Sequence, residues 1–303
     1  MNSRTLDPHA LEVVRAVGAR GGVGAAAELL HVTPSAVSQT LQALGRDIGM
    51  PVTERVGRGV RLTPAGQALA AASVDVAVAL ERARAACDAL RTDPGGEVTV
   101  SAFASGARML FPGLLTWAQD VPGLRVVLAD GDVATDRFAA LTDEIDVVVG
   151  HHPEGEDPWA NIGRRIVPLL REPLDVALPL DHRLADRAWL TPQDLADEEW
   201  ISVREGFPVA EVLSAITGGA PRVTQRLNDF SVVEALVAAG HGISLLPRYT
   251  TSAQGRFRLL PLRGVRAARS IAALARPDRA ERLAVRRVLD RLVADAASLA
   301  TPR

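Results

Sequence analysis

The sequence predicts an α/β protein: a small helical head with a two-stranded wing, one long helix, and a larger unit in which strands alternate with helices. Three observations carry that prediction. Apolar residues recur at helical spacing through the first fifty positions, with capping signals ahead of two of the runs. A stretch without breakers then extends from Pro64 to Leu90. Beyond Thr92-Asp93-Pro94-Gly95-Gly96, turn chemistry that marks a boundary, short β-branched segments alternate with helical ones.

Asp7 and Pro8 supply a cap and a first helical residue for a helix that carries Leu11, Val14, Val17 and Gly18. Gly21-Gly22 interrupts it, and Ala25 to Leu30 make a short second helix. Thr33 caps a third, with Pro34 in the first position, where no N–H partner is needed. Val37, Leu41, Leu44 and Ile48 share one stripe of that helix, and Ser35, Ser38, Gln39, Gln42 and Arg46 the opposite one. Only His31-Val32 separates the last two helices, the layout of a helix-turn-helix whose final helix enters a DNA major groove. Gln39 and Gln42 suit adenine N6 and N7, whereas Ser35 and Ser38 suit phosphates or base edges. The alternative is a helical bundle with a solvated polar face. The next segment weakens it: from Val52 to Leu62, Arg55, Arg58 and Arg61 surround a Gly57-Arg58-Gly59 tip between two short strands, a wing suited to a phosphate or the minor groove.

Leu69, Val76, Leu80, Ala83, Cys87 and Leu90 recur along the long helix at steps of three, four or seven, the stripe of a helix that packs on another helix or on its own copy. We read it as a dimerisation helix, with packing inside its own domain as the alternative. The strands expected beyond it are Val98–Val100, Val126–Leu128, Ile145–Val149, Leu174–Leu178, Trp200–Val203, Ile243–Leu246 and Ile271–Leu274, in a largely parallel sheet. Ligands of such sheets lie beyond the carboxyl ends of the strands. Those ends carry Ser101 to Ser105, Asp130-Gly131-Asp132, Gly150-His151 and Arg204-Glu205-Gly206, polar and varied as a pocket for a small polar molecule would be. Each taken singly also fits an ordinary surface loop.

Composition removes whole classes of chemistry. All 34 basic residues are Arg, so a P-loop lysine, a Schiff base to pyridoxal phosphate and a kinase-type lysine are excluded. The net charge of -2 rules out a chain that coats nucleic acid along its length. Residues 1–66 nonetheless hold seven Arg against five acids, about +2, which leaves -4 for the rest. The single cysteine, Cys87, allows no intrachain disulfide and no Cys-rich metal site. No secretory signal is visible behind Met1, and the most apolar window, Ala68 to Leu80, is too short to span a bilayer, so a cytoplasmic protein without membrane contact is expected. Gly22-Val23-Gly24-Ala25-Ala26-Ala27 mimics a dinucleotide fingerprint, but it sits between helices and lacks the acid about twenty residues on. His151-His152 near Glu154 and Glu156 reads as a solvated acidic loop rather than a metal site, and no metal or cofactor is expected.

The residues resemble those of LysR-type transcriptional regulators over essentially the whole chain. The likeness rests on the run from Ala25 to Gln39, on Glu54-Arg55 with Arg61-Leu62-Thr63-Pro64-Ala65-Gly66, on Arg171-Glu172-Pro173-Leu174 through Leu178-Pro179-Leu180-Asp181-His182, and on Leu236 to Pro247. It implies a winged helix-turn-helix over 1–63, a linker and dimerisation helix over 64–93, and a two-lobed α/β effector domain over 94–303 similar to type 2 periplasmic binding proteins. The first lobe would comprise 94–167 and 268–303 and the second 168–267, with crossings near Val167 to Leu169 and Val265 to Ala268. The implied function is sequence-specific DNA binding controlled by a small polar metabolite, without enzymatic activity. Implied partners are double-stranded promoter DNA, the effector, a second or further copies in a homodimer or homotetramer, and RNA polymerase as a candidate. The DNA-contacting residues would be Thr33, Pro34, Ser35, Ser38, Gln39, Gln42, Arg55, Arg58 and Arg61. Ser105, Asp132, Arg204 and Ser231 would meet the effector, and Leu69, Val76, Leu80, Ala83 and Leu90 the partner helix. The family usually has an acid where Gly45 stands, and this glycine is expected to loosen the end of the third helix.

Overall fold

The computed structural model describes residues 6–57, 59–90 and 95–300. The chain forms two compact units, Met1–Arg91 with Pro277–Arg282, and Thr92–Arg276 with Leu283–Arg303.

In the first unit, α1 (Pro8–Arg20), α2 (Val23–Leu29) and α3 (Pro34–Ile48) are followed by the hairpin strands β1 (Thr53–Val56) and β2 (Gly59–Leu62) and by the 25-residue α4 (Pro64–Asp88). The expected caps form at Asp7 and Thr33, and Thr63 supplies a third: their side chains accept from the amides of His9, Ala36 and Gly66 at 3.0, 3.2 and 3.1 Å. Each helix so capped has Pro at its start. His31, at φ 54°, makes the tight turn between α2 and α3. Val13, Val14, Val17, Ala26, Ala27, Val37, Leu41 and Leu44 close over one core with Val52 and Leu62. The expected loosening at Gly45 does not occur. α3 runs on to Ile48 and ends at Gly49 in the left-handed region, while the chain folds back so closely that a Cβ at position 45 would lie 3.2 Å from the Met50 carbonyl oxygen. Gly45 therefore permits a return of the backbone.

The second unit contains β3 (Gly96–Ala102), α5 (Ala104–Gln119), β4 (Leu124–Asp130), the short α6 (Phe138–Leu141), β5 (Val147–Pro153), the 14-residue β6 (Arg165–Leu178), β7 (Glu199–Ser202), α7 (Pro208–Ile216), β8 (Arg222–Arg226), α8 (Phe230–Ala238), β9 (Ser244–Pro247), β10 (Arg258–Leu260) and β11 (Ala268–Ala275). Every expected strand segment contributes to one of these; β8, β10 and the first half of β6 were not anticipated. The seven-stranded sheet, in the order β10-β6-β11-β5-β3-β4 with β9 also on β6, is mixed, not largely parallel: β3 pairs parallel with β4 and β5, but β11 lies antiparallel to β5 and β6, and β6 antiparallel to β9 and β10, while β7 and β8 form a separate parallel pair. Strand polarity depends on how the long β6 and β11 return through the sheet, which residue patterns do not encode. The final elements are α9 (Pro277–Glu281) and α10 (Leu283–Ala300). α10 packs in the second unit against α5 and β6, whereas α9 lies in the first unit along α4, where Arg82 and Glu281 pair at 3.1 Å.

Candidate nucleic-acid interface and ligand cleft

On α3, amphipathicity separates two jobs. Val37, Leu41 and Leu44 face the core at 2% exposure or less, which turns the opposite edge outward. Thr33, Pro34, Ser35, Gln39 and Gln42 are exposed, and Ser38 is half-buried with its hydroxyl donating to the Pro34 carbonyl at 2.9 Å. The Thr33 and Ser35 hydroxyls are 2.9 Å apart. Both glutamine amides thus stand on a surface from which they can reach base edges. In the hairpin, Arg55 is exposed, and Arg61 is held by the carboxylate of its cross-strand neighbour Glu54 at 2.8 Å. Gly57 takes φ 60° in the turn. Arg58 lies outside the described residues.

On α4, Val76, Leu80 and Ala83 are exposed, whereas Leu69 packs with Ala70 against the core of its own unit; the helix ends at Asp88, so Leu90, also exposed, lies in the turn beyond it rather than on its stripe. Position 69 therefore belongs to intrachain packing, because it lies in the part of α4 that runs beside α1. Cys87 is exposed.

The second unit holds a cavity of about 20 Å³, space for a water molecule, walled by Phe103, Phe207 and Phe230 and carrying the polar groups of Ser105, Asp132, His151, Asn228 and Arg269. Its floor is a buried charge pair. Arg269, without solvent exposure, donates from Nε and Nη2 to Glu172 at 2.8 and 2.6 Å, from Nη2 to the Ser105 hydroxyl at 2.7 Å, and from Nη1 to His151 Nδ1 at 3.1 Å. Its guanidinium also lies 4.8 Å from the Phe103 ring centre, and His151 stacks on the same ring at 3.9 Å. Burial, and then the Arg269 charge, hold the His151 pKa well below its usual value, so the imidazole is neutral. At the rim, Asn228 donates to Asp132 at 3.0 Å, and this hydrogen bond joins loops that follow β4 and β8.

Of the four effector contacts expected from the sequence, Ser105 and Asp132 line this cavity; Arg204 and Ser231 do not. Buried Val203 faces the cavity, leaving the Arg204 side chain exposed, and the Arg204 amide donates to Asn228 Oδ1 at 3.0 Å. The Ser231 hydroxyl turns back to Asp229, which caps α8, at 2.6 Å. The strand-end pair Gly150-His151 does bring His151 to the cavity, whereas Arg269 and Glu172 are not among the expected contacts. His151 is not in a solvated loop: β5 runs on to Pro153, a strand buried at six of its seven positions, and His151 is 4% exposed. Arg269 carries a partial signal, a charge ahead of the apolar run Ile271–Ala275, but its partner Glu172, beside Arg171 in sequence, is identified only by their pairing across the β6–β11 ladder. No group of residues that could hold a metal ion occurs among the described residues, and none of the described helices is long and apolar enough to cross a membrane.

The described residues form a winged helical head with an outward polar helix, and an α/β unit that holds a side-chain-lined cavity. Comparison with known proteins specifies the class. Residues 8–67 match the model for bacterial regulatory helix-turn-helix proteins of the lysR family, and residues 91–297 match the LysR substrate binding domain. The chain belongs to the LysR family of transcriptional regulators, and its relatives are regulators rather than enzymes. It is 27% identical over 277 residues to the HTH-type transcriptional regulator CbbR of Xanthobacter flavus, covering 89% of this chain and 82% of that one. It is 31% identical over 241 residues to TfdS of Cupriavidus pinatubonensis, covering 77% and 79%. Among solved structures, a cysteine-to-aspartate variant of full-length OxyR from Pseudomonas aeruginosa superposes with a TM-score of 0.67 at 21% identity, over 95% of each chain, a likeness of fold.

Proposed function

We propose that the chain reads promoter DNA in the cytoplasm as a symmetric homodimer or homotetramer, and that a small polar effector in the cleft biases the geometry of the paired heads. Gln39 and Gln42 meet base edges, Thr33, Pro34, Ser35 and Ser38 set the start of α3 against the backbone, and Arg55, Arg58 and Arg61 make the wing's phosphate or minor-groove contacts. Val76, Leu80, Ala83 and Leu90 meet the partner chain. The observation that carries this reading is the polar edge of α3: it faces outward from its own unit while the opposite stripe is fully used in the core. A two-fold pair of such helices reads a near-palindromic site with half-sites spaced by whole helical turns.

Titration of labelled promoter fragments at several salt concentrations tests it. Affinity should fall steeply with salt and discriminate between sequences, as phosphate-anchored base readout requires. Binding indifferent to both would refute the assignment of α3 and the wing.

A further inference from the structure

The cleft's chemistry narrows what it binds. Arg269 is its one cationic lining residue, and four of its five N–H groups are already committed, two to Glu172, one to Ser105 and one to His151. No paired fork remains for a carboxylate, and the Glu172 charge, equally buried, already balances the guanidinium. Asp132 then leaves the lining and its ion pair with one net negative charge.

Hydrogen-bond polarity specifies the rest. A guanidinium only donates, so His151 Nδ1 must accept, and the neutral ring carries its hydrogen on Nε2. That Nε2 is buried and has no hydrogen-bond partner among the described residues. The Ser105 oxygen accepts from Arg269, which leaves its O–H free to donate. The floor thus offers two donors toward a ligand oxygen. Asp132, at the rim, only accepts. The N-terminus of α5, where Ser105 sits, favours partial negative charge, which suits a carbonyl or hydroxyl oxygen. A full anion would in addition face the like charge of Asp132.

We infer that this cleft takes a small molecule without an anionic group, one that presents an oxygen acceptor to Ser105 and His151 and an N–H or O–H donor to Asp132, with an apolar body against the phenyl rings. The inference rests on the reading of the cleft as the effector site. The cavity is only about 20 Å³, so such a ligand enters as the Asp132–Asn228 hydrogen bond opens and replaces Asn228 as the donor to Asp132.

Matched pairs that differ only in charge test the class: benzamide and benzoate, nicotinamide and nicotinate, lactamide and lactate, each followed by thermal shift and calorimetry on the full chain. The amides should raise Tm and their acids should not. Asp132→Asn, a change at an exposed position, should tighten binding of the acids by about tenfold or more. Ser105→Ala should weaken the amides, with near-ultraviolet circular dichroism reporting an intact fold. If acids bind the wild-type chain better than their amides, and Ser105→Ala weakens them, the cleft remains the effector site and the inferred class is wrong. If no member of any pair binds in a way that depends on Ser105, the reading of the cleft fails and the class falls with it.

Discussion

Arg269 and Glu172 are both fully buried, and each is tolerable only because of the other. Removing one partner from a fully buried pair leaves an uncompensated charge, at a cost of about 3–5 kcal/mol. Arg269→Met and Glu172→Gln should each lower Tm by roughly 10 °C. The double variant Arg269→Met with Glu172→Met should recover most of that loss, and thermal melts of the three proteins measure the coupling. His151 adds a pH dependence of defined sign. Its folded pKa lies below the unfolded value of about 6.5, so the unfolded chain binds more protons in the interval between them. The stability associated with a neutral His151 is complete above that interval and is lost as pH falls through it. Melts between pH 7 and 5 should show the decline, and His151→Asn should flatten it. The sequence alone gives this histidine two readings, at a strand end that faces a pocket and in a polar loop with His152, Glu154 and Glu156; the extent of β5, which runs on to Pro153 and is buried at every position but His152, decides between them.

At the scale of elements, caps and periodicity were enough to locate the first four helices. Thr-Pro starts stand where α3 and α4 begin, and the apolar stripe of α3 is the stripe that the core buries. The exposed edge of α3 predicts a division of labour. Gln39→Ala should relax base preference, with a loss of about 1–3 kcal/mol on the preferred site only, whereas Arg55→Ala should weaken all sequences alike and reduce the salt dependence. Competition titrations on randomised half-sites separate the two effects. Close packing was not legible. At Gly66, in the first turn of α4, a Cβ would collide with the Val52 carbonyl oxygen, so Gly66→Ala should destabilise the winged unit by about 1–3 kcal/mol even though alanine is the better helix former. Circular dichroism melts measure that cost. Nothing in the sequence places residue 52 beside residue 66, because their proximity arises from the hairpin between them.

At the scale of the molecule, the unfinished surface is on α4, where Val76 and Leu80 are 37% and 43% exposed on a helix of 25 residues. Val76→Asp with Leu80→Asp should shift the sedimenting species toward the 32.1 kDa monomer. The same variant should lose far more affinity for a two-half-site DNA than for a single half-site, because linked binding disappears with the partner.

What the sequence determined by itself was local: where helices start, which face of each is apolar, that a wing follows α3, that strands alternate with helices beyond residue 96, and that chemistry based on lysine or paired cysteines is absent. Its family motifs determined the class of protein. Tertiary structure alone decided the polarity of the sheet, the place of α9 beside α4, and the cleft floor, where Arg269, Glu172, His151 and Ser105 meet from positions up to 164 residues apart. The physical reason is one of range. Capping and periodicity act within a few residues, whereas a buried charge finds its counter-charge only after β6 and β11 have paired.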